Sequence, residues 1–231
     1  TATDTISGIN VTGLDDGTLT LTVYLTDPAG NQGASTTATV TKDVVAPTVT
    51  AGNISISGAS GASGEYIIGD TVTAVWDNSG AGSGDNNTDI LSVTVNFTEF
   101  GGAATVTATQ ASGIWTATYT VATGTINDGV ADKNVFVTAT DNAGNITTTE
   151  DNTNATVDNQ APAGYTVSID QPYINDSNKG ALSFTFAGAE VGAVYTYSIT
   201  DSVTTVTATG TITTATDTIS GINVTGLDDG T

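Results

Sequence analysis

Residues 71–76 read TVTAVW, residues 91–98 read LSVTVNFT and residues 114–121 read IWTATYTV. In each stretch, apolar residues alternate with threonine or another small polar residue. Because successive side chains of a β-strand point to opposite faces, this pattern predicts antiparallel strands with one buried and one solvated face. Threonine suits the solvated face, since its branched Cβ favours extended backbone. The same alternation recurs at residues 18–26, 134–140, 181–186 and 194–200, and no window shows convincing helical periodicity.

The chain contains two internal repeats. Residues 1–18 read TATDTISGINVTGLDDGT, and residues 214–231 repeat these eighteen residues without a change, at an offset of 213 residues. A shorter pair, TDPAGN at residues 26–31 and TDNAGN at residues 140–145, has an offset of 114 residues. Repetition on this scale predicts an array of similar domains, with a tandem period of 213 residues that divides into units of about 114 and 99 residues.

Two Asp-x-x-Ala-Pro junctions, DVVAP from Asp43 and DNQAP from Asp158, indicate the domain boundaries. They predict that residues 46–159 form one complete β-sandwich. Residues 1–45 are then the C-terminal part of a similar domain, and residues 160–231 are the N-terminal part of the next. Each part alone would expose sheet edges and half a core, so head-to-tail self-association through the split domain is one expectation. The alternative is that the chain is one window of a longer continuous filament.

The composition excludes several classes of function. The chain has 24 acidic residues, three lysines and neither arginine nor histidine, for a formal charge of −21. Such a chain has no basic surface for nucleic acid. Without histidine and cysteine it has no Ser-His or Cys-His catalysis and no zinc site built on those residues. No apolar run approaches the roughly 18 residues of a membrane span, so no membrane insertion is expected. Paired carboxylates could serve a glycosidase, but no pocket-forming insertion is evident, and we expect no enzyme.

The string LDDGTLTLTVYLTDPAGN at residues 14–31, followed by DVVAPTVT from Asp43, resembles the bacterial immunoglobulin-like repeats of giant, RTX-like surface adhesins exported by type I secretion. There, a Leu-x-Asp-Gly-Thr turn leads into strand F, an Asp-x-Ala-Gly-Asn turn follows, and an Asp-x-x-Ala-Pro linker begins the next domain. In the complete unit, INDGVADKN at residues 126–134 is a looser match to the first turn. The resemblance covers essentially the whole chain.

The resemblance implies an all-β fold of tandem immunoglobulin-like antiparallel β-sandwich domains in a linear array. Residues 1–45 would then hold about strands E to G, and residues 160–231 about strands A to E. It also implies an extracellular location on a bacterial cell surface, where a rod-like extender has neighbouring repeats of the same polypeptide as its partners and joints stiffened by Ca²⁺.

Acidic residues concentrate in the turns and at the domain joints. In an immunoglobulin-like sandwich, the incoming linker, the B–C loop and the F–G loop share one end. The E–F turn of the preceding domain faces the same joint. Calcium takes six to eight oxygen ligands, and its charge would turn a repulsive joint into a rigid one. For any single Asp, a turn-forming role is the alternative. The predicted metal ligands are Asp15, Asp16, Asp43, Asp77, Asp85, Asp89 and Asp141 at this joint, Asp158 and Glu190 at the next joint, and Asp70, Asp128 and Asp132 at the opposite end.

The expected function is therefore mechanical: a calcium-rigidified, non-catalytic extender of a surface adhesin that holds a distal binding module away from the cell. One alternative is a structural surface filament or sheath protein that assembles end to end. Another is a carbohydrate- or cell-binding β-sandwich module. Trp76 and Trp115 fall on alternating strands, which predicts core positions, with a sugar-stacking platform as the alternative.

Overall fold

The protein is described by a computed structural model that covers residues 3–126 and 129–229. Over these residues the regular structure is β-strand, with two three-residue 3₁₀ turns at Ala51–Asn53 and Thr98–Phe100 and no α-helix. Accordingly, the described part of the chain has no helix with the length and apolarity to cross a bilayer. The chain divides into two compact units, Thr1–Asn159 and Gln160–Thr231. The prediction of an all-β fold is confirmed.

The first unit begins with a separate β-hairpin. Strand β1 (Gly17–Val23) pairs antiparallel with β2 (Thr36–Lys42). The strand predicted at residues 18–26 ends earlier, at Val23, because the chain then turns, and Thr26 forms only an isolated bridge with Gln32. Residues 3–16, which precede the hairpin, form no strand.

Residues 46–159 contain two four-stranded sheets. The strands are β3 (Ile54–Ser57), β4 (Tyr66–Ile67), β5 (Thr71–Asp77), β6 (Ile90–Asn96), β7 (Val106–Thr107), β8 (Thr109–Ala111), β9 (Ile114–Thr120), β10 (Phe136–Asp141), β11 (Ile146–Glu150) and β12 (Val157–Asp158). One sheet has the order β3-β5-β9-β8 and the other the order β11-β10-β6-β7. All pairs inside these two sheets are antiparallel, whereas β4 and β12 form a short parallel pair.

A single hydrophobic core joins the two sheets, which makes this part of the chain sandwich-like. Val72 and Trp76 contribute from β5, and Val95 and Val137 contribute from β6 and β10 of the other sheet. Buried residues alternate with more exposed residues, several of them threonine, along β5 and β10, as period-2 patterning predicts. Trp76 is 1 % exposed, which confirms its predicted core position, and the partly buried Trp115 packs against the same core.

The second unit has a smaller core and fewer strands. Strands β13 (Thr166–Ile169), β14 (Leu182–Ala187) and β17 (Thr216–Ile222) form a sheet in the order β13-β14-β17, and β15 (Val194–Thr200) pairs separately with β16 (Thr205–Thr211). These pairs are antiparallel. The core centres on Leu182, Phe184, Ile222 and Val224.

Candidate metal centre

Three separate segments meet at one end of the 46–159 sandwich. The linker after β2 is tied to the β5–β6 loop by the Thr48 amide, which donates to Asn87 Oδ1 at 2.8 Å. The linker also contacts the β10–β11 turn, since Asn145 Nδ2 donates to the carbonyl oxygen of Asp43 at 3.3 Å. In that turn the Asn142 amide donates to the carbonyl oxygen of Asp89 at 3.0 Å. Linker, loop and turn are therefore held against one another by backbone and amide hydrogen bonds.

This arrangement brings three carboxylates together. Asp43, Asp89 and Asp141 each offer an oxygen atom, and these oxygens lie within 4.8 Å of one another. Asp141 is fully buried, and the other two residues are half-buried. Calcium binds oxygen at about 2.3–2.6 Å, so two of its ligands can be no more than about 5.2 Å apart. The separation of the three oxygens therefore fits a single calcium ion.

Hydrogen bonds within its own turn fix the orientation of the Asp141 carboxylate. Its Oδ1 accepts hydrogen bonds from the amides of Ala143 and Asn145, both at 2.9 Å, and its Oδ2 accepts one from Asn145 Nδ2 at 2.8 Å. Burial would raise the pKa of Asp141, but the hydrogen bonds from Asn145 and the backbone outweigh it and hold the pKa below the ordinary value. The group is therefore an anion at neutral pH, with a fixed orientation.

The lysines of the chain are engaged with aspartates outside this trio. Lys42 Nζ contacts Asp16 Oδ1 at 3.0 Å and the carbonyl oxygen of Leu14 at 2.6 Å. Among the described residues, Lys133 also pairs with Asp132, and Lys179 pairs with Asp176. Three carboxylates confined in a small, partly buried volume repel one another unless a cation joins them.

Two other predicted ligands, at the end of β5 and in the β5–β6 loop, accept hydrogen bonds from neighbouring residues. Asp85 accepts hydrogen bonds from the indole Nε1 of Trp76 at 2.7 Å, the amide of Thr50 at 2.8 Å and Asn53 Nδ2 at 2.9 Å. Asp77 Oδ1 accepts one from the amide of Ser79 at 2.8 Å. Asp85 therefore fastens the loop to the core and the linker, whereas Asp77 closes a local turn.

The remaining predicted ligands that the structure describes are not part of the trio. The carboxylate of Asp70 accepts hydrogen bonds from the amides of Ser60 and Ile67, both at 2.9 Å. Asp16 accepts one from the amide of Val44 at 3.0 Å, in addition to its lysine. Asp15 is exposed, Asp132 pairs with Lys133, Asp158 ends β12, Glu190 lies in the second unit, and Asp128 falls outside the described residues.

A second polar cluster at residues 134–154 was not anticipated from the sequence. The buried carboxylate of Asp151 accepts hydrogen bonds from the amides of Val135 at 2.6 Å and Thr153 at 2.7 Å. The Asn134 amide donates to Glu99 Oε2 at 2.6 Å. Asp151 precedes Asn-Thr and looks like an ordinary turn residue, so spacing alone offered no signal for it.

We expect acid to destabilise the protein through its aspartates. Burial would raise the pKa of Asp85, but hydrogen bonds led by those of Thr50 lower it below the ordinary value of 3.8, and the pKa of Asp70 is lowered by Ser60 and Ile67. A carboxylate with a lowered folded pKa stabilises the fold fully above its unfolded pKa, and that stabilisation is lost as the pH falls through the folded pKa. In the absence of divalent ions, the melting temperature should therefore be nearly constant from about pH 7 to pH 5 and should decrease below about pH 4.

High salt, about 0.5 M, keeps general charge repulsion small in this experiment. Asp85→Asn is the matched variant, because it removes one of these titrating groups, and it should reduce the loss in acid. A melting temperature that rises below pH 4 would contradict the interpretation.

No protein family matches the chain, and no curated protein matches it at a significant level. The chemistry of the site therefore follows from its own donors. Three carboxylates offer hard oxygen ligands, which suit calcium or magnesium better than softer transition metals. Ligands that come from a linker, a loop and a turn suit the irregular coordination of calcium better than the near-ideal octahedron that magnesium demands.

Proposed function

We propose that the protein is a calcium-rigidified extender repeat from the stalk of a bacterial cell-surface adhesin, non-catalytic and extracellular. The observation that carries the proposal is the position of Asp43. This linker residue lies with Asp89 and Asp141 of the domain that the linker enters, so one ion would bind linker and domain together. Asp43, Asp89 and Asp141 would hold the ion, and water would complete its coordination.

The strand order supports an immunoglobulin-like identity for residues 46–159. The order β3-β5-β9-β8 corresponds to strands A-B-E-D, and the order β11-β10-β6-β7 corresponds to G-F-C-C′ of that fold. In this correspondence the β5–β6 loop is the B–C loop and the β10–β11 turn is the F–G loop. Both belong to the end at which an incoming linker arrives, which is where the three carboxylates meet.

The mechanical role follows from the electrostatics. Without an ion, repulsion among the three carboxylates opposes the hydrogen bonds that hold the linker against the sandwich, so the joint bends more easily. A bound dication reverses the sign of the interaction and restrains the linker. The stiffness of a chain of such domains would then depend on the calcium concentration around the cell. Extension away from a surface requires stiff joints and no catalytic group, which agrees with the absence of His and Cys from the sequence.

Calcium should bind saturably and stabilise the folded protein. We expect the free energy of unfolding to rise by about 1.4 kcal/mol when free calcium exceeds Kd tenfold, because the ion binds the assembled site and not the unfolded chain. Isothermal titration gives Kd, and melting with calcium or with a chelator gives the stabilisation. The proposal would be wrong if the melting temperature were the same with calcium and with a chelator and the titration gave no binding heat.

Asp89→Asn is the sharpest variant for this site. The substitution keeps the size of the side chain and removes one ligand charge, while Asp43 and Asp141 also accept hydrogen bonds from nearby backbone amides. We expect calcium affinity to fall by about tenfold or more, because ligand charge sets the affinity of such sites. Asp77→Asn is the matched control, since it removes the same charge at the end of β5, where the loop begins, outside the trio. Equal losses in both variants would indicate a diffuse charge effect instead of a site.

A further inference from the structure

An apolar cleft is open in the second unit. It has a volume of about 550 Å³ and lies between the β13-β14-β17 sheet and the β15-β16 pair. Its lining includes Phe184, Phe186, Tyr195 and Tyr197, whose rings pack edge-on or stacked against one another. Protein interiors are normally packed without such spaces. The cleft is therefore an incomplete core with room for further side chains.

The hairpin of β1 and β2 has an unburied apolar face that matches this need. In the antiparallel register Leu19 lies opposite Val40 and Leu21 opposite Ala38, so their side chains share one face. Leu21 is 53 % exposed and Val40 is 64 % exposed. An isolated two-stranded hairpin is at best marginally stable in water, and a contiguous apolar face marks an interaction surface.

The complete sandwich contains a related hairpin in a buried setting. In the β1–β2 turn, the amide of Asn31 donates a hydrogen bond to Asp27 Oδ1 at 2.8 Å. The equivalent bond in the β10–β11 turn, from the amide of Asn145 to Asp141 Oδ1, measures 2.9 Å. The TDxAGN repeat aligns Val23 with Val137, which is 0 % exposed between the sheets. A hairpin built on this turn therefore fills the core of a sandwich when a suitable sheet edge is present.

The second unit presents such an edge on β15. In the complete sandwich β6 lies between β7 on one side and β10 of the hairpin on the other. β15 has β16 on one side and, among the described residues, no strand on the other. The inward side chains of β15 that would meet an added strand are Tyr195, Tyr197 and Ile199.

We propose that the cleft of the second unit binds the β1–β2 hairpin of a second copy of this chain, with β1 added antiparallel to the free edge of β15. The second copy is the occupant because its hairpin carries the matching turn and the apolar face, and because β1 and β15 are both seven residues long. The contact is heterologous, so each copy can receive one hairpin and donate another, and linear assemblies result.

Sedimentation velocity of the full chain over a wide concentration range tests the proposal. We expect dimers and longer species to grow with concentration, and to grow further when salt screens the repulsion between copies that each carry a formal charge of −21. A protein that stays strictly monomeric at the highest attainable concentration and ionic strength would overturn the proposal.

Two substitutions on β1 separate the apolar face from general charge. Leu21→Asp should weaken self-association by at least about thirtyfold, since it removes one buried leucine and places a carboxylate in the cleft. Thr20→Asp adds the same charge on the opposite face of the strand and should assemble nearly as the unmodified chain does. Assembly that survives Leu21→Asp, or that is lost equally in both variants, would count against the assigned face.

Mixing two assembly-deficient variants provides an independent test. Leu21→Asp has a defective hairpin and an intact cleft, whereas Tyr197→Asp has a defective cleft and an intact hairpin. Each alone should remain monomeric, and an equimolar mixture should form a dimer that does not extend further. Because the second variant needs only its hairpin, unfolding of its second unit would not prevent this result. No heterodimer in the mixture would overturn the proposal.

Discussion

Trp76→Ala should lower the free energy of unfolding of the 46–159 sandwich by about 3–5 kcal/mol. The indole is 1 % exposed and lies in β5 between Ile54 of β3 and Trp115 of β9 in the sheet register. Its removal leaves a cavity that rigid neighbouring strands can fill only in part. Domains are typically stable by about 5–15 kcal/mol, so this single change removes a large share of the total.

Urea denaturation followed by far-ultraviolet circular dichroism measures this effect. Trp115→Ala is the control on the neighbouring strand, and it should cost less because that residue is only partly buried. The loss of stability for Trp76→Phe should lie between the losses for Trp76→Ala and Trp115→Ala, since this variant keeps an aromatic ring and loses the indole N–H. A loss below about 1 kcal/mol for Trp76→Ala would mean that the sandwich core is not organised around this residue.

Asp85→Ala should cost about 3 kcal/mol, although the residue lies in a loop. One carboxylate accepts the hydrogen bonds of Trp76, Thr50 and Asn53, and hydrogen bonds to a charged group are the stronger ones. The buried indole N–H would lose its partner without access to water. The same change should also weaken calcium binding, because Asp85 positions the loop that carries Asp89 and holds the linker that carries Asp43.

Asp77→Ala is the matched control for Asp85→Ala. It removes a carboxylate at the end of β5, where the loop begins, but one that accepts a local turn hydrogen bond from Ser79, so we expect a cost within about 0.5 kcal/mol. A double-mutant cycle of Asp85→Ala with Trp76→Phe should show coupling of at least about 0.5 kcal/mol, since the two side chains share a hydrogen bond. Additive losses would show that Asp85 acts independently of the indole.

The sequence predicted the candidate site better than it predicted the use of single residues. Positions 43, 89 and 141 are far apart in the chain, and the expectation that they share one end came from the immunoglobulin-like topology that the resemblance implied. Asp85 lies in the same loop as Asp89 and has the same side chain. Its inward orientation depends on where the Trp76 indole sits, which no local pattern of residues encodes. Asp151 was missed because its buried position likewise depends on tertiary contacts, here with the amide of Val135.

The repeated eighteen residues separate local pattern from tertiary context. Residues 3–9 form no strand, whereas the identical residues 216–222 form β17, which pairs with β14. Ile9 is 64 % exposed, and its counterpart Ile222 is 4 % exposed. Extended structure is stable only when a neighbouring strand takes its hydrogen bonds and covers its apolar face.

Alternation along the chain was therefore sufficient to establish the β class and to sort side chains into an apolar and a polar face. It could not establish whether a given apolar face is covered, because coverage depends on a partner strand that is distant in the sequence. The assembly of Asp43, Asp89 and Asp141 depends on the same long-range packing, since it requires a linker, a loop and a turn to reach one end of the sandwich. The local periodicity of the side chains is encoded residue by residue, and burial arises only when the sheets come together.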